Sequence, residues 1–296
     1  MAGDQVCAVV VHYHPNANNL GDLSNLHRLV GEFEHVVVVD NGSANEPLAR
    51  LRETVAETGA NLIEVGANLG IGTGFNLGLN WALQHGFEFA VLLDQDSFMI
   101  PGFRSAILEH YKAAPKREKL AIVSPVHVDR TYGTEIVARR GPGGNPITIS
   151  SGSLVPIAIY LKYGALMDSF FLDHVDTEYC LRLLKMGCRI EVCDRACLVH
   201  SIGNPRRVRL FGRTLFTMTN HGPNNRYYSV RNCIWIIRKY FKTFPRFSLV
   251  MARSIGYDLI KIIVGEKQKG KKLSRMLRGI VDGLRGRGGP YTRSMV

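Results

Sequence analysis

Apolar runs alternate with helix-like segments along the first half of the chain. The runs have strand length and lie at 6–13 (VCAVVVHY), 35–40 (HVVVVD), 61–65 (NLIEV), 89–93 (FAVLL) and 120–126 (LAIVSPV). Segments with helical period lie between them, at about 18–30, 44–59, 74–86 and 101–113. Because the runs are apolar throughout rather than alternating, the pattern predicts an α/β fold with a parallel sheet covered on both faces.

Acidic residues stand where two of these strands end. Asp40 closes the second strand, and VLLDQDS (91–97) places Asp94 and Asp96 at the end of the fourth. Ligands of such sheets bind outside the carboxyl ends of the strands. Two carboxylates this close repel each other, so they belong either to a solvated turn or around a cation. Acids delivered to one edge by two strands favour a ligand site.

A D-x-D pair of this kind suits a substrate that carries a diphosphate. Mg²⁺ prefers one or two carboxylates together with substrate oxygens. Bound in that way, a divalent cation neutralises the charge of a departing diphosphate. One aspartate can then contact a ribose while the other takes the metal, although D-x-D alone is a weakly specific motif.

The glycine-rich stretch NLGIGTGFNLGL (68–79) follows the third strand. A dinucleotide fingerprint would follow the first strand, where residues 12–17 contain no glycine. Two interpretations stay open: tight packing of a helix on the sheet, or close approach of the backbone to a nucleotide. In the second interpretation, Asn68, Gly70 and Asn76 are candidate contacts.

A third acidic segment, FFLDHVDTEYCLRL (170–183), leads into a predicted helix. Asp176 and Glu178 fall in its first turn, where acids suit the helix dipole, and Glu178 with Arg182 forms an i,i+4 pair. We interpret that pair as mainly structural and Asp176 as a candidate general base. His200, at the end of a further strand-like run, is either a metal ligand or a core histidine, and its surroundings favour the core histidine.

The net charge of +12 is concentrated in the last third of the chain. Residues 204–296 carry 21 Lys and Arg against 3 Asp and Glu, whereas residues 1–203 carry 16 against 22. Such a basic region suggests an anionic partner: nucleic acid, phospholipid headgroups or a phosphorylated substrate. We expect residues 249–265 to form an amphipathic helix and the tail from about 283 to be disordered. The segment 139–148 (RRGPGGNPIT) is expected to be flexible, either as a lid or as an acceptor-side loop.

Taken in order, several of these segments resemble the inverting family 2 glycosyltransferases of the GT-A fold. The segments are VVVHYHP, VVVVDNGS, NLGIGTGFNLGL, VLLDQDS, SSGSLVP, FFLDHVDTEYCLRL and VHSIG. The variants DQDS, SSGSLVP, LDHVDTEYCLR and RYYSVRN are similar to the bacterial rhamnosyltransferase branch of that family, over about residues 6–240. Val175 departs from the usual Glu-Asp pair before the base, which leaves the donor sugar open.

The resemblance implies a role for each motif residue. Asp176 would be the catalytic base, and Asp96 with His200 would bind Mg²⁺ or Mn²⁺. The donor nucleotide would contact His12, Asp40, Asn68, Gly70, Asn76, Asp94 and Gln95. The acceptor-side candidates are Ser151, Gly152, Glu178 and Arg182.

We therefore expect a catalytic domain over residues 1–203, with a nucleotide-sugar half to about 125 and an acceptor half from 126, and a basic helical region over 204–296. The enzyme would transfer L-rhamnose from dTDP-β-L-rhamnose to a saccharide hydroxyl in lipopolysaccharide core or O-antigen synthesis. Neither a signal-peptide pattern nor a membrane-spanning run is found, so we expect a cytoplasmic protein. Its basic region would lie against the anionic inner face of the cytoplasmic membrane, and a homodimer is compatible with the sequence.

Three alternative functions share part of this sequence pattern. A family 2 transferase with a UDP-hexose donor keeps the same chemistry. A nucleotidyltransferase would need a glycine-rich basic loop after the first strand, which is absent. A basic nucleic-acid-binding protein would explain the charged tail but not acids at three motifs, so nucleic acid is not expected as a partner.

Overall fold

The chain folds into two compact units in the computed structural model, which describes residues 5–15, 23–200, 206–210, 213–218 and 220–291. Only the backbone is described for 206–210 and 213–218. The first unit comprises Met1–Asp168 and Asp176–His200. The second unit comprises Ser169–Val175 and Ser201–Val296. The sequence-based boundary at 203 ignores the short segment Ser169–Val175, which the second unit takes from the middle of the first.

Strands and helices alternate through the first unit. Its strands are β1 (Val6–His12), β2 (His35–Asp40), β3 (Asn61–Glu64), β4 (Phe89–Asp94), β5 (Phe98–Met99), β6 (Leu120–Asp129), β7 (Glu135–Ile136), β8 (Arg139–Arg140), β9 (Pro146–Ile147), β10 (Ser153–Pro156) and β11 (Arg189–His200). Its helices are α1 (Ser24–Glu32), α2 (Asn45–Thr58), α3 (Ile71–Gln84), α4 (Phe103–Ala113), α5 (Ile157–Tyr163) and α6 (Val175–Lys185), the last of which starts with a residue of the second unit.

The main sheet has the strand order β3-β2-β1-β4-β10-β6-β11-β5, with β7 paired to β6. The pairs β2–β3, β1–β2, β1–β4 and β6–β11 are parallel, whereas β10 runs antiparallel to β4 and β6. The expectation of a mostly parallel α/β sheet is confirmed. Because β1, β2 and β4 are parallel, their carboxyl ends meet at one edge, as the sequence predicted.

The core of the first unit is built from the β-branched runs of the sheet. Every residue of β1 is buried, and so are the five that follow His35 in β2. Helices cover the sheet with large apolar side chains such as Leu29 and Phe103, both of which are buried. Strands buried on both faces read as continuous apolar runs, which is why the sequence revealed them.

Three local predictions need correction. Helix α3 begins at Ile71, three residues before the predicted start at 74. The segment 139–148 is not a plain loop, because β8 and β9 pair in it as a short antiparallel hairpin. The tail is ordered beyond 283: the next helix runs to Arg285, and the Tyr291 N–H donates to the Tyr228 hydroxyl at 2.7 Å. Residues 292–296 of the predicted disordered tail lie outside the described residues.

The second unit is not purely helical, as the sequence had suggested. An antiparallel pair, β12 (Arg206–Leu210) and β13 (Arg213–Met218), precedes three helices, α7 (Pro223–Tyr240), α8 (Pro245–Val264) and α9 (Lys269–Arg285). Its small core contains Val230, Ile262 and Met276. None of the helices within the described ranges is both long enough and apolar enough to cross a bilayer.

All three acids of residues 204–296 are engaged in ion pairs. Glu266 is buried between Arg226 and Lys272, and Asp258 lies 2.9 Å from Arg226 Nη1. Asp282 lies 2.9 Å from Arg278 Nε and is nearly buried. The exposed surface of α8 and α9 therefore presents cations with little negative charge between them.

Candidate active site

The carboxyl edge of the sheet brings His12, Asp40 and Asp94 together. His12 is in register with Asp40 on β2, and Val11, the residue before it, is in register with Asp94 on β4. Three sequence-predicted donor contacts thus end three adjacent strands. A ligand that lies across this edge can reach all of them.

Asp40 and His12 are buried and each keeps one polar atom without a partner. Asp40 Oδ2 accepts hydrogen bonds from the N–H groups of Gly42 and Ser43 at 3.2 and 3.0 Å. Asp40 Oδ1 and His12 Nδ1 have no hydrogen-bond partner among the described residues. Burial lowers the pKa of His12 to about 4, against the opposing charge of Asp40, so the imidazole is neutral at pH 7. Buried polar atoms of this kind are normally satisfied, which points to a ligand with its own donors and acceptors.

The DQDS turn connects the strand ends and carries two of the acids. The Tyr13 N–H donates to Gln95 Oε1 at 2.8 Å, which ties the end of β1 to the end of β4. The Ser97 N–H donates to the Asp94 carbonyl oxygen at 3.2 Å and closes the turn. In this position Gln95 supports the turn whether or not it also contacts a nucleotide.

Asp94, Asp96 and His200 form a group that could hold a metal ion. His200 Nε2 lies 3.9 Å from Asp94 Oδ2, and His200 Nδ1 lies 3.7 Å from Asp96 Oδ1. One possible ligand atom from each residue lies within 4.8 Å of the others. These separations exceed direct hydrogen bonds but suit an ion between the groups, and two carboxylates with an imidazole are donors that divalent metal ions accept. The structure thus places His200, the last residue of β11, beside the acids.

A buried set of polar groups supports this trio, and sequence reasoning missed part of it. The hydroxyls of Ser97 and Ser151 lie 2.5 Å apart, and the Asp94 N–H donates to Ser151 Oγ at 3.2 Å. Ser97 Oγ lies 3.4 Å from His200 Nδ1. His127 Nε2–H donates to the Ser151 carbonyl oxygen at 2.7 Å. Ser97 stands inside the quoted DQDS motif, but His127 had no sequence signal, since it is an isolated histidine in an apolar strand.

Two predicted acceptor-side residues, Ser151 and Gly152, have structural roles. Ser151 is fully buried, and its hydroxyl is engaged by Ser97 and by the Asp94 N–H. Gly152 has φ of +80°, its N–H donates to the Leu92 carbonyl at 2.7 Å, and a Cβ there would lie 2.6 Å from the Pro125 ring. The SSGS motif therefore shapes the support of the metal group.

Burial, reinforced by neighbouring carboxylates, raises the pKa of Asp94. Low-dielectric surroundings raise the pKa of Asp94 to about 6, with the charge of His200 opposing and those of Asp96 and Asp176 reinforcing the shift. A cation between Asp94 and Asp96 would relieve this repulsion. The electrostatic contact with Asp176 also places the predicted base near the D-x-D motif.

Asp176, the second residue of α6, lines a small cavity of the first unit. Ser150, Thr148 and Tyr179 line the same cavity. Asp176 Oδ1 accepts from the N–H of Thr177 at 2.6 Å and from its hydroxyl at 3.2 Å. Burial raises the pKa of Asp176, and the Thr177 bonds and the charge of Arg139 partly oppose the rise. A carboxylate with a raised pKa next to a cavity is suited to accept a proton.

Glu178 and Arg182 form the structural pair that the sequence indicated. Glu178 is fully buried, and its Oε2 lies 3.3 Å from Arg182 Nη2. Arg182 also donates to the carbonyls of Tyr163 and Ala165 at 2.5 and 2.6 Å, which fixes the end of α5. These bonds commit both side chains to the fold rather than to an acceptor.

The glycine-rich stretch supports the packing interpretation at two positions. A Cβ on Gly74 would lie 2.8 Å from Val11 Cγ1, and one on Gly78 would lie 2.1 Å from Val9 Cγ1. Asn76 is committed to the structure, because its amide bonds both the N–H and the carbonyl of Leu166 and also Asp168 Oδ1.

The start of α3 keeps a geometry that can receive a ligand. Asn68 Oδ1 accepts from the Gly70 N–H at 3.0 Å, and Gly70 has φ of +92°. Of the three candidates in this stretch, Asn68 and Gly70 remain available to a nucleotide, whereas Asn76 does not.

Comparisons with known proteins agree with this geometry. No family model matches the chain. The dTDP-rhamnosyl transferase RfbF of Shigella flexneri is 30% identical over 95% of this chain and 96% of its own length. The galactofuranosyltransferase GlfT1 of Mycolicibacterium smegmatis is 26% identical over 77% of this chain and 81% of its own. Among solved structures, the mannosyltransferase PcManGT of Pyrobaculum calidifontis, in complex with GDP-Man and Mn²⁺, superimposes with a TM-score of 0.57 at 15% identity, covering 96% of this chain and 88% of that one.

A mostly parallel sheet that ends in acidic residues, with a D-x-D motif and a third carboxylate nearby, matches the glycosyltransferases of the GT-A fold, and this chain is one of them. Within that class, identity of 30% along nearly the whole length with a dTDP-rhamnosyl transferase shows that this chain belongs to the rhamnosyltransferase family.

Proposed function

We propose that the protein is an inverting, metal-dependent family 2 transferase that moves L-rhamnose from dTDP-β-L-rhamnose to a saccharide hydroxyl. One observation carries the proposal: Asp94, Asp96 and His200 converge at the ligand edge of the sheet. The raised pKa of Asp176 and the match to a dTDP-rhamnosyl transferase support the same conclusion.

The unpartnered atoms of Asp40 and His12 suit the pyrimidine of the donor. A thymine or uracil ring offers one N–H donor between two carbonyl acceptors, and Asp40 Oδ1 can accept from such an N–H. The neutral His12 ring can donate or accept, depending on its tautomer. Both atoms are buried and have lost their hydrogen bonds to water, which costs free energy while they have no partner. A base that pairs with them removes that cost.

Mg²⁺ or Mn²⁺ would be held by Asp96 and His200, and Asp94 would contact either the metal or the ribose. Such an ion neutralises charge on the diphosphate as it leaves. The serines behind the trio and the His127–Ser151 hydrogen bond fix the orientation of the ligands, as supporting groups do at metal sites.

Asp176 would take the proton of the acceptor hydroxyl. The acceptor oxygen forms a bond to the sugar C1 from the face opposite the diphosphate, and the C1–O bond to the diphosphate breaks with its electron pair. One base and one displacement convert a β-donor into an α-L-rhamnoside. The raised pKa brings Asp176 closer to the operating pH, where a general base is most effective.

The acceptor is proposed to be a lipid-linked glycan of lipopolysaccharide core or O-antigen synthesis, used at the inner face of the cytoplasmic membrane. Helix α8 exposes an apolar surface, called here the α8 face, which contains Leu249, Val250, Tyr257, Ile260, Ile263 and Val264. Exposed cations accompany it, and each Lys or Arg near an anionic surface contributes about 1 kcal/mol. This combination is typical of a helix that lies in the membrane interface.

A homodimer through the same face is the competing explanation. Two copies would bring together regions that each carry 21 basic residues against 3 acids, and these regions repel each other. Charge complementarity therefore favours an anionic bilayer as the occupant of the α8 face.

The donor is tested by calorimetric titration of the purified protein with dTDP-rhamnose, UDP-glucose and GDP-mannose, each with Mn²⁺ or Mg²⁺ and again with EDTA. We expect metal-dependent binding of dTDP-rhamnose alone. Binding of UDP-glucose instead would keep the mechanism and establish the UDP-hexose alternative. Binding that is unchanged by EDTA would contradict the metal site.

A further inference from the structure

Two adjacent side chains of α7, Arg231 and Asn232, are buried outside the chemistry described above. Both are fully buried, at 0% exposure. The Arg231 guanidinium lies 5.3, 5.0 and 5.1 Å from the ring centres of Tyr227, Tyr228 and Trp235, which favours a cation there. Within the described residues, no carboxylate pairs with it. Burying a cation without a paired carboxylate costs free energy unless hydrogen bonds compensate for it. The groups that accept hydrogen bonds from Arg231 therefore indicate what this side chain holds in place.

The pair binds the backbone of the segment Ser169–Val175. Arg231 Nη2 donates to the carbonyls of Ser169 and Phe170 at 3.1 and 2.7 Å. Asn232 Nδ2 donates to the carbonyls of Phe170, Leu172 and Asp173 at 2.9, 2.6 and 2.8 Å. Arg231 Nε–H also donates to Asn232 Oδ1 at 2.9 Å, which fixes the amide so that its nitrogen faces these carbonyls. All of these contacts lie inside the second unit.

The bound segment has an unusual backbone. Phe171, Asp173 and His174 have φ of +61°, +57° and +60°, in the left-handed region that L side chains rarely adopt. Strained conformations of this kind persist where surrounding contacts over-determine them, and they cluster at functional sites. Hydrogen bonds from Arg231 and Asn232 to the carbonyls within and beside these residues supply that constraint.

The strained residues lead directly into the helix that carries the proposed base. His174 is followed by Val175, the first residue of α6, and Asp176 is the second. The backbone that enters a helix determines where its first side chains point, because its φ and ψ angles set the direction of the first turn. We propose that Arg231 and Asn232 are positioning residues for Asp176, holding Ser169–Val175 in the strained form that aims its carboxylate. This inference rests on the proposed role of Asp176 as base.

A purely structural role in the second unit is the competing explanation, and the same helix offers a control. Arg226 is also buried on α7, and it pairs with Glu266 and Asp258. None of its described partners lies in Ser169–Val175. Replacing Arg226 therefore disturbs the second unit to a similar degree without touching the segment.

The test compares Asn232→Ala, Arg231→Lys and the control Arg226→Lys in the full-length protein. Each is assayed for kcat, for donor KM, for metal-dependent affinity for dTDP, and for melting temperature. For Asn232→Ala we expect kcat to fall about 100-fold, the effect of a misplacement near 1 Å, while dTDP affinity stays within about twofold. Arg231→Lys should lose less than Asn232→Ala, because the ammonium keeps the positive charge and one donor for the carbonyls, although it cannot bind several of them as the planar fork does. Arg226→Lys should lower the melting temperature and leave kcat near the wild-type value.

Two results would overturn the inference. One is a folded Asn232→Ala protein whose kcat matches the wild type. The other is a loss of kcat that stands in the same proportion to the drop in melting temperature in Asn232→Ala and in Arg226→Lys. The assay uses whichever sugar nucleotide the wild type consumes, so a wrong donor assignment is seen separately. If the wild type consumes none, the proposed function fails, and amide exchange over 170–176 decides: faster exchange in Asn232→Ala but not in Arg226→Lys supports the hold on the segment, and equal exchange rejects it.

Discussion

The contact between α3 and β1 leaves no room for a side chain at Gly78, and this makes a quantitative prediction. A methyl group there would lie 2.1 Å from Val9 Cγ1 and 3.1 Å from Val9 Cβ, whereas carbon atoms in contact prefer about 3.5–4 Å. Val9 is fully buried in the sheet. Overpacking of such a site costs about 3 kcal/mol at the upper end of the usual range, and the better helix propensity of alanine returns about 1 kcal/mol. Gly78→Ala should therefore destabilise the first unit by about 2 kcal/mol.

Urea unfolding followed by Trp81 fluorescence measures this effect, in a Trp235→Phe background so that only the first unit reports. Gly31→Ala is the matched control, because Gly31 also lies in a helix but has no atom within 4 Å of its Cβ position. The control should be neutral or more stable by up to about 1 kcal/mol.

A compensating change tests the cause. Val9→Ala removes the methyl group that overlaps, so the double variant Val9→Ala/Gly78→Ala should be more stable than the sum of the two single effects by at least about 1 kcal/mol. A Gly78→Ala protein as stable as the wild type, or single effects that simply add, would refute the packing argument.

The other predictions concern the site and the surface. Asp96→Asn should weaken Mn²⁺-dependent donor binding about tenfold or more, whereas the exposed Asp194→Asn should not; equal calorimetric affinities for the two variants would remove Asp96 from the metal site. The hydroxyl of Thr177 favours the ionised form of Asp176, so Thr177→Ala, which removes that bond and keeps the backbone N–H bond, should raise the pKa of Asp176 further and move the acid limb of the kcat profile to higher pH; an unmoved limb would mean that another group titrates. Ile260→Asp should reduce co-sedimentation with vesicles rich in anionic lipid, while neutral vesicles bind neither protein; a change from dimer to monomer in solution would instead assign the α8 face to a second copy.

Much of the donor edge could be predicted from the chain itself. An apolar run of strand length without alternating polar residues, ending in aspartate, identifies a buried parallel strand and its ligand end, as at Asp40 and Asp94. The helix that starts near Asp176 was visible because its first turn is acidic and its last turn contains Lys185.

What the sequence hid depends on partners that are distant along the chain. The Asn76 side chain bonds to Leu166 and Asp168, which no local pattern indicates. His127 acts on the site only through the carbonyl of Ser151 on another strand. The glycine-rich stretch left two interpretations open, because the need for small residues on α3 comes from the surface of β1 at Val9, which is distant along the chain. In each case the deciding contact is tertiary.

The interleaving of the two units limits how this chain can be divided or recombined. The second unit takes Ser169–Val175 from the middle of the first, so a cut at any single position cannot separate the two. A truncation at 200 would leave that segment without Arg231 and Asn232, and a chimera that grafts a relative's C-terminal region would meet a foreign segment. The sequences of residues 169–175 and of the middle of α7 should therefore match each other within any one relative. Exchanges of acceptor specificity between relatives should succeed only when both segments are transferred together.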